Sequence, residues 1–169
     1  MLVIATYGAD GTPDAMCAAW GGISDDTQLS VCVAVEHKSA ENFAACGAFT
    51  VSMATAAYVE ECDYLGVVSG NDVPDKLARS GLHVERAGHV NAPLISELPL
   101  TIECELVSYD PESCRLVGEI VNVSADESVL GPDGKIDVDK LQPVSFDPVH
   151  NTYRVLGAVV GRAFTAGER

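Results

Sequence analysis

The sequence predicts a mainly β domain with short α-helices, built as an antiparallel barrel or sandwich. Three observations predict it. About six or seven short runs read as strands, by period-two alternation or by continuous apolar character. Turn-rich links of Gly, Asp, Pro and Asn separate them. Only two or three short stretches carry helical spacing, too few for an α/β layer arrangement. The chain has 169 residues, 47% hydrophobic and 21% charged, enough for one domain over 1–169 with a substantial core.

Leu2–Tyr7 and Ala15–Trp20 flank the turn-rich Gly8–Asp14 and read as a hairpin, with Gly21-Gly22 ending its second strand. Asp25-Asp26 makes a turn before Leu29–Val35, where Leu29, Val31, Val33 and Val35 share one face and Ser30, Cys32 and Ala34 the other. A strand with one bulky and one small face suits a curved wall. In 40–46, Ala40, Phe43 and Ala44 share a helical face, Ser39 is the N-cap and Gly47 the stop. A strand over 48–54 follows, then a helix over Thr55–Leu65. Pro74 favours the first turn of a helix over 73–80, which Ser80-Gly81 stops. Leu82–Glu85 is a short strand, and Val90–Ile95 wanders over the surface. Leu100–Tyr109 alternates and pairs with Arg115–Ala125 across the turn Asp110-Pro111-Glu112. The Asp-, Pro- and Gly-rich 126–148 is long for a loop, as a functional or interface arm would be. Thr152–Phe164 supplies a last strand or two, with Gly157 and Gly161 marking bends.

The formal charge is −15, from 10 basic and 25 acidic side chains. Phosphate backbones are repelled by such a surface, which argues against nucleic acid or an anionic membrane as partner. No apolar run reaches membrane-spanning length, and the N-terminus shows no leader pattern. The six cysteines, at 17, 32, 46, 62, 104 and 114, form no CxxC and sit in apolar patterns, which predicts reduced thiols in a cytoplasmic protein. No Cys/His spacing matches zinc, and Asp133, Asp137 and Asp139 lack the following Glu of a calcium loop, so no metal site is assigned.

Two stretches could carry chemistry. In Val35–Ser52, a helix start brings unpaired N–H groups and a positive dipole end beside His37, Lys38, Ser39 and Asn42. Alone, this is an N-capped surface helix with a solvated lysine; the same groups also make a phosphate seat. Asp14–Gly22, DAMCAAWGG, runs through small residues to the only Trp. It reads as a tightly packed core strand, or as a wall against which a flat ring lies close to the backbone with Trp20 stacked on it. His83, His89 and His150 read as solvated, and Cys62 and Cys114 have no activating partner.

The pieces DAMCAAWGG, the basic turn with Ser39, GAFTVS, DYLGVVSGNDVPDKL, LPLTIECELV, GEIVNV and YRVLGAVVGRAF occur in an order that resembles the flavin reductase-like, FMN-binding split-barrel family, in its flavoredoxin-like branch. The resemblance implies a six-stranded antiparallel split β-barrel and a homodimer with one FMN per subunit near the dimer interface. It implies that Met16, Cys17, Ala18, Ala19 and Trp20 line the isoalloxazine, largely through backbone groups. His37, Lys38, Ser39 and Asn42 would hold the phosphate or ribityl chain, Lys76 in PDKL would reach the FMN, and Ser52 would lie near the ring. Two departures stand out: Asp14 replaces a frequent Asn, and Cys17 replaces a frequent Thr, removing one hydroxyl that could bond the flavin. The implied activity is an oxidoreductase that takes electrons from NADH or NADPH and passes them to free flavin or a partner protein. The alternative is a flavoredoxin-like electron carrier that does not oxidise NAD(P)H; a barrel that has lost FMN is a third. The cofactor carries the chemistry, so no side chain is assigned as acid or base.

Overall fold

The computed structural model describes residues 1–167. Its frame is a seven-stranded antiparallel sheet. The strands in chain order are β1 (Leu2–Tyr7), β2 (Pro13–Ala18), β3 (Gly21–Ile23), β4 (Gln28–Cys32), β5 (Ala48–Met53), β8 (Leu100–Asp110) and β9 (Arg115–Ala125), arranged β2-β1-β5-β8-β9-β4-β3. Two short hairpins complete the β structure, β6 (Val84–Arg86) with β7 (Pro93–Ile95) and β10 (Val144–Asp147) with β11 (Thr152–Val155). The helices are α1 (Lys38–Cys46), α2 (Val59–Val67), α3 (Lys76–Arg79) and α4 (Val138–Leu141). β2 and β3 follow one another in the chain yet stand at opposite ends of the sheet, so the sheet has to curl. The chain crosses the gap at Ala19–Trp20, where the Cys32 N–H donates to the Trp20 carbonyl at 2.8 Å. This is the open, curled half-barrel of the predicted class. The strand count is seven rather than six because the bend at Ala19–Trp20 separates β3 from β2.

Alternation sorts the strands' side chains to two faces. The concave face holds Ile4, Met16, Leu29, Val31, Phe49, Val51 and Leu116, all buried. Phe43 of α1 is driven into it and meets Tyr109 edge-on, centroids 5.0 Å apart. Val35, expected on this face, lies past the end of β4 and is exposed. The other face carries Val3, Ala5 and Ala15, covered by Cys62 and Leu65 of α2, Leu77 of α3 and Ile95 of β7. Among the described residues no helix is long and apolar enough to cross a membrane.

Several local expectations shift. Gly47 is the C-cap, φ 70°, its N–H bonded to the Phe43 carbonyl. Ser39 is not the N-cap: α1 begins at Lys38, His37 caps it without a side-chain bond, and the Ser39 hydroxyl turns inward to a buried carboxylate. A buried acceptor draws a donor more strongly than a solvated helix end does. The helix expected over 73–80 shrinks to α3, because the Asp72 and Val73 N–H groups bond back to the Ser69 carbonyl in a turn that precedes Pro74. The stretch 90–95 does not wander. Val90 and Ala92 join Ala48 and Ala87 in a small core, and Thr50 donates to the Pro93 carbonyl at 2.6 Å. The long 126–148 contains a 3-10 turn, α4 and β10. Regular strand ends at Val155, not Phe164, and 156–167 is exposed.

Segment 83–103 is fastened by two carboxylates, each taking the backbone N–H and the ring Nδ1 of a histidine. Glu97 binds His83 at 2.9 and 2.6 Å, and Glu103 binds His89 at 2.7 and 3.0 Å. The rings are exposed as expected, but both are tied. Glu103 is buried and also accepts from Asn122 at 2.8 Å. Burial pushes its carboxyl up, yet the donors from Asn122 and His89 outweigh that and hold it below the usual range. A carboxyl depressed on folding contributes stability above its unfolded pKa and loses it as pH falls through the folded value. Glu103→Gln is therefore expected to destabilise by about 1–3 kcal/mol at neutral pH. Urea curves of variant and parent should converge on acidification; a gap independent of pH would contradict this.

Gly118 serves a close approach within the core. A Cβ on Gly118 would lie 2.4 Å from Cζ of the buried Phe49 ring. Gly118→Ala should lower stability by about 1–3 kcal/mol by overpacking, read from the denaturation midpoint.

Candidate functional site

β2 is an edge strand, and a cleft runs along it between the start of α1 and the α2–α3 connection. The larger lobe, about 350 Å³, is bounded by Gly8, Thr12, Lys38, Glu41, Asn42 and Pro74. A side lobe of about 130 Å³ is bounded by Met16, His37, Ser39, Leu65–Gly70 and Lys76. Asp14, Lys38 and Gly70 line both, so the two lobes are one cleft.

Asp14 is the centre of the site. Strand alternation puts Asp14 and Met16 on the face that α1 covers, and Asp14 is 5% exposed. Its Oδ2 accepts from the Ser39 hydroxyl at 3.0 Å. Its Oδ1 has no donor, alone among buried side-chain polar atoms of the described residues. The Lys76 ammonium stands 3.6 Å from that oxygen, an ion pair too long for a hydrogen bond. Lys76 is buried at the start of α3, and its Nζ donates to the carbonyls of Leu65 at 3.1 Å and Val68 at 3.0 Å. It thereby satisfies the end of α2, where a cation is also favoured by the helix dipole. Burial lowers the Lys76 pKa, and the neighbouring Asp14 restores part of it. Gly70 is what allows the approach, since a Cβ there would lie 2.5 Å from Asp14 Oδ1 and 3.1 Å from Lys38 Cβ.

The fold gathers six of the residues singled out by sequence: Met16, His37, Lys38, Ser39, Asn42 and Lys76. Lys38 is at the mouth, 2.9 Å from Glu41. Asn42 is buried and donates to Thr6 Oγ1 at 3.1 Å, fixing α1 to β1. The other five lie elsewhere. Cys17 points to the opposite face of β2, and burial pushes its thiol up to about 11. Ala18 is packed in the concave core. Ala19 and Trp20 are exposed at the crossing, and Trp20 meets Phe146 edge-on at 6.3 Å. Ser52 is buried and shares a 2.8 Å hydrogen bond with Thr101. Sequence reasoning missed Asp14 and Gly70 as site residues. The signal for Asp14 was a lone acid opening a run of small apolar residues.

This arrangement offers an acceptor lacking a donor, an ammonium and free helix-start N–H groups at the mouth, and unpaired strand edge along the floor. It suits a ligand with hydroxyl or N–H donors at one part and an anion at another. Cys17 and Cys62 lie on the other face of β2, outside the cleft, and burial pushes their thiols up to about 11 and about 12.

Residues 1–149 match the family described as flavin reductase like domain. Among solved structures, the chain is similar to a flavoredoxin of Desulfovibrio vulgaris (Miyazaki F), with TM-score 0.93, 36% identity, and 99% of this chain and 91% of that one covered. It is similar to a flavoredoxin from Methanosarcina acetivorans, with TM-score 0.89, 27% identity, and 99% and 89% covered. It shares its fold with an FMN-binding domain of a flavin reductases-like enzyme from Shewanella baltica OS155, with TM-score 0.84, 19% identity, and 95% and 88% covered. An uncharacterized protein of Aeropyrum pernix is 31% identical over 107 residues, 62% of this chain, and the match spans 41% of that protein's length.

Asp14→Ala strands the Lys76 ammonium, which should cost about 3–5 kcal/mol in chemical denaturation. Adding Lys76→Met should recover much of the loss. An ammonium held below its unfolded pKa binds its proton less readily in the folded state, so stability rises with pH through the folded value. The Asp14→Ala deficit should therefore shrink on raising pH. A deficit unchanged by Lys76→Met would contradict the pairing.

Proposed function

The chain belongs to the flavin reductase like domain family, and we propose that it binds FMN in the cleft at the start of α1 and works as an electron-transferring oxidoreductase. The observation that carries this is Asp14 Oδ1, a buried acceptor without a donor, in a cleft whose mouth presents Lys38 and the first turn of α1. FMN has hydroxyl and imide donors for the first and a phosphate for the second. A buried acceptor left unmatched costs about 1–3 kcal/mol, so a ligand donor placed there gains what the empty fold forfeits. The lobe's 350 Å³ falls in the range of small-molecule sites.

The chain's own residues then have distinct tasks. The unpaired edge of β2 presents backbone donors and acceptors to a flat ring. Asp14 takes a ligand hydroxyl or N–H while Ser39 and Lys76 hold its carboxylate in place. At the mouth, the α1 N–H groups and Lys38 receive the anion. Lys38 must release Glu41 to do so, a small loss because an exposed pair of this kind is worth at most about 1 kcal/mol. When bound, FMN supplies a ring that accepts and releases electrons. No side chain is needed as nucleophile or general acid.

Two readings of the electron path follow. A flavoredoxin-like carrier is supported by the likeness to two flavoredoxins over 99% of the chain. A formal charge of −15 also favours a partner with a basic face over the anionic NADH or NADPH. An NAD(P)H-dependent flavin reductase that passes electrons to free flavin or a protein is supported by family membership. Anaerobic mixing with NADH or NADPH separates them. Fast bleaching of the bound flavin makes the chain a reductase; bleaching only with a reduced protein donor makes it a carrier.

Binding itself is read by flavin fluorescence titration. Lys38→Glu should weaken FMN by on the order of tenfold or more, equivalent to at least ~1.4 kcal/mol. Lys135→Glu, in an exposed loop, should leave affinity unchanged, and Gly70→Ala should abolish binding by displacing Asp14 while the fold persists. Equal losses at both lysines, or full binding by Gly70→Ala, would contradict the placement.

A further inference from the structure

Among the described residues, Asp14 is the one buried charge that borders both lobes of the cleft. Lys76 is equally buried but borders the side lobe alone, and its ammonium is spent on the carbonyls of Leu65 and Val68. The other charged or titratable groups of the cleft sit at its rim, in water. Lys38 is offset by Glu41 at 2.9 Å, the Glu41 side chain is 70% exposed, His37 is exposed, and the Asp10 carboxylate is turned onto Thr12. Solvent and salt screen those groups, whereas a buried carboxylate keeps its field across the cleft. The Ser39 hydroxyl holds Asp14 Oδ2 at 3.0 Å, and Gly70 leaves no side chain over Oδ1.

We propose, resting on the reading that this cleft binds FMN, that Asp14 sets the electron affinity of the bound flavin: it favours the oxidised ring over the reduced one and so lowers the reduction potential. Two effects act in the same direction. Reduction of FMN takes up two electrons and, near neutral pH, one proton, so the ring gains one negative charge. A fixed carboxylate in the wall repels that charge, the more strongly as the ligand excludes water. The second effect is hydrogen bonding. Oδ1 has no donor from the protein, so its donor comes from the ligand. An imide N–H in that place donates better from the oxidised, electron-poor ring, and a bond to a carboxylate magnifies the difference. Charge and hydrogen bonds around the ring are the means by which a protein tunes a flavin. The Lys76 ammonium, 3.6 Å from Oδ1, weakens the field without cancelling it, because it bonds backbone carbonyls and borders the smaller lobe alone. A flavin held this way releases electrons readily, the behaviour of a donor to a partner rather than of an electron store.

The midpoint potential of bound FMN, from anaerobic titration with dithionite against reference dyes, tests this in the parent chain and in Asp14→Asn. Asparagine keeps the size of the side chain and an acceptor for Ser39 while removing the charge. A variant that merely loosens the site weakens oxidised and reduced FMN alike and leaves the potential where it was. A change in the ratio of the two affinities is what moves it. Asp14→Asn should favour reduced over oxidised FMN at least tenfold more than the parent does, a rise of about 30 mV for the two-electron couple. Asp133→Asn, the same charge change in an exposed turn outside the cleft, should leave the potential unchanged. Asp14→Asn with Lys76→Met, which strands no ammonium, should also rise, by less, and carries the test where the single variant does not fold. An unchanged or lowered potential in the folded Asp14 variant would overturn the proposal, as would an equal rise in Asp133→Asn. A parent chain that takes up no FMN in a fluorescence titration would overturn the FMN reading and this proposal together. FMN bound by parent and variant at one common potential would overturn this proposal alone.

Discussion

One buried carboxylate organises the cleft of this molecule. Asp14 belongs to β2, takes a hydrogen bond from Ser39 of α1, and pairs with Lys76 of α3, whose ammonium also closes the end of α2. Two charges and a hydroxyl add polar links between four elements that also pack through Ala15, Leu65 and Leu77 on one face of β2 and Met16 and Phe43 on the other. Buried ion pairs are weak sources of net stability, because desolvation consumes most of the Coulombic gain. What the arrangement provides is position. It holds β2's free edge, the start of α1 and the 65–70 turn at fixed spacing, and it leaves one carboxylate oxygen facing the cleft without a donor. A fold selected for stability alone would have filled or neutralised that oxygen. Gly70 keeps the approach open where any side chain would collide with it.

The curled sheet explains why the cleft lies where it does. β2 and β3 end the sheet, so the half-barrel keeps a free edge along β2. α1 covers the concave side of that edge, with Phe43 anchored in the core, and α2 and α3 cover the other side. The edge would invite pairing with another strand. Here the flanking helices narrow it to a slot suited to a small flat ligand. The cleft and an apolar groove beside α3 share Thr12 and Pro74 in their walls, so the two cavities are contiguous.

Much of this was legible in the sequence. The alternation of 100–109, the Gly47 stop and the convergence of His37, Lys38, Ser39, Asn42 and Lys76 follow from periodicity, cap chemistry and the order of the motifs. What was not legible depends on partners distant in sequence. Nothing local says that Asp14 faces Lys76, or that Ser39 gives up the helix cap for a buried carboxylate. Residues Met16–Trp20 were grouped as a run of small residues ending in the only Trp and by the resemblance, with contact largely through backbone groups; a strand sends neighbouring side chains to opposite faces, and of these five Met16 borders the cleft. Val90–Ile95 lacks periodicity, yet its few apolar residues suffice to seal a small core. The apolar stretch after Val155 looked like strand; without a partner strand on its own body it forms none and lies exposed.

The most direct measurement of the central claim is a crystal structure of the protein grown with excess FMN. The account predicts the ligand along the β2 edge, its phosphate at the first turn of α1 and one of its donors on Asp14 Oδ1. Ligand bound at another surface, or a cleft closed by side chains with Asp14 Oδ1 still lacking a ligand donor, would contradict it.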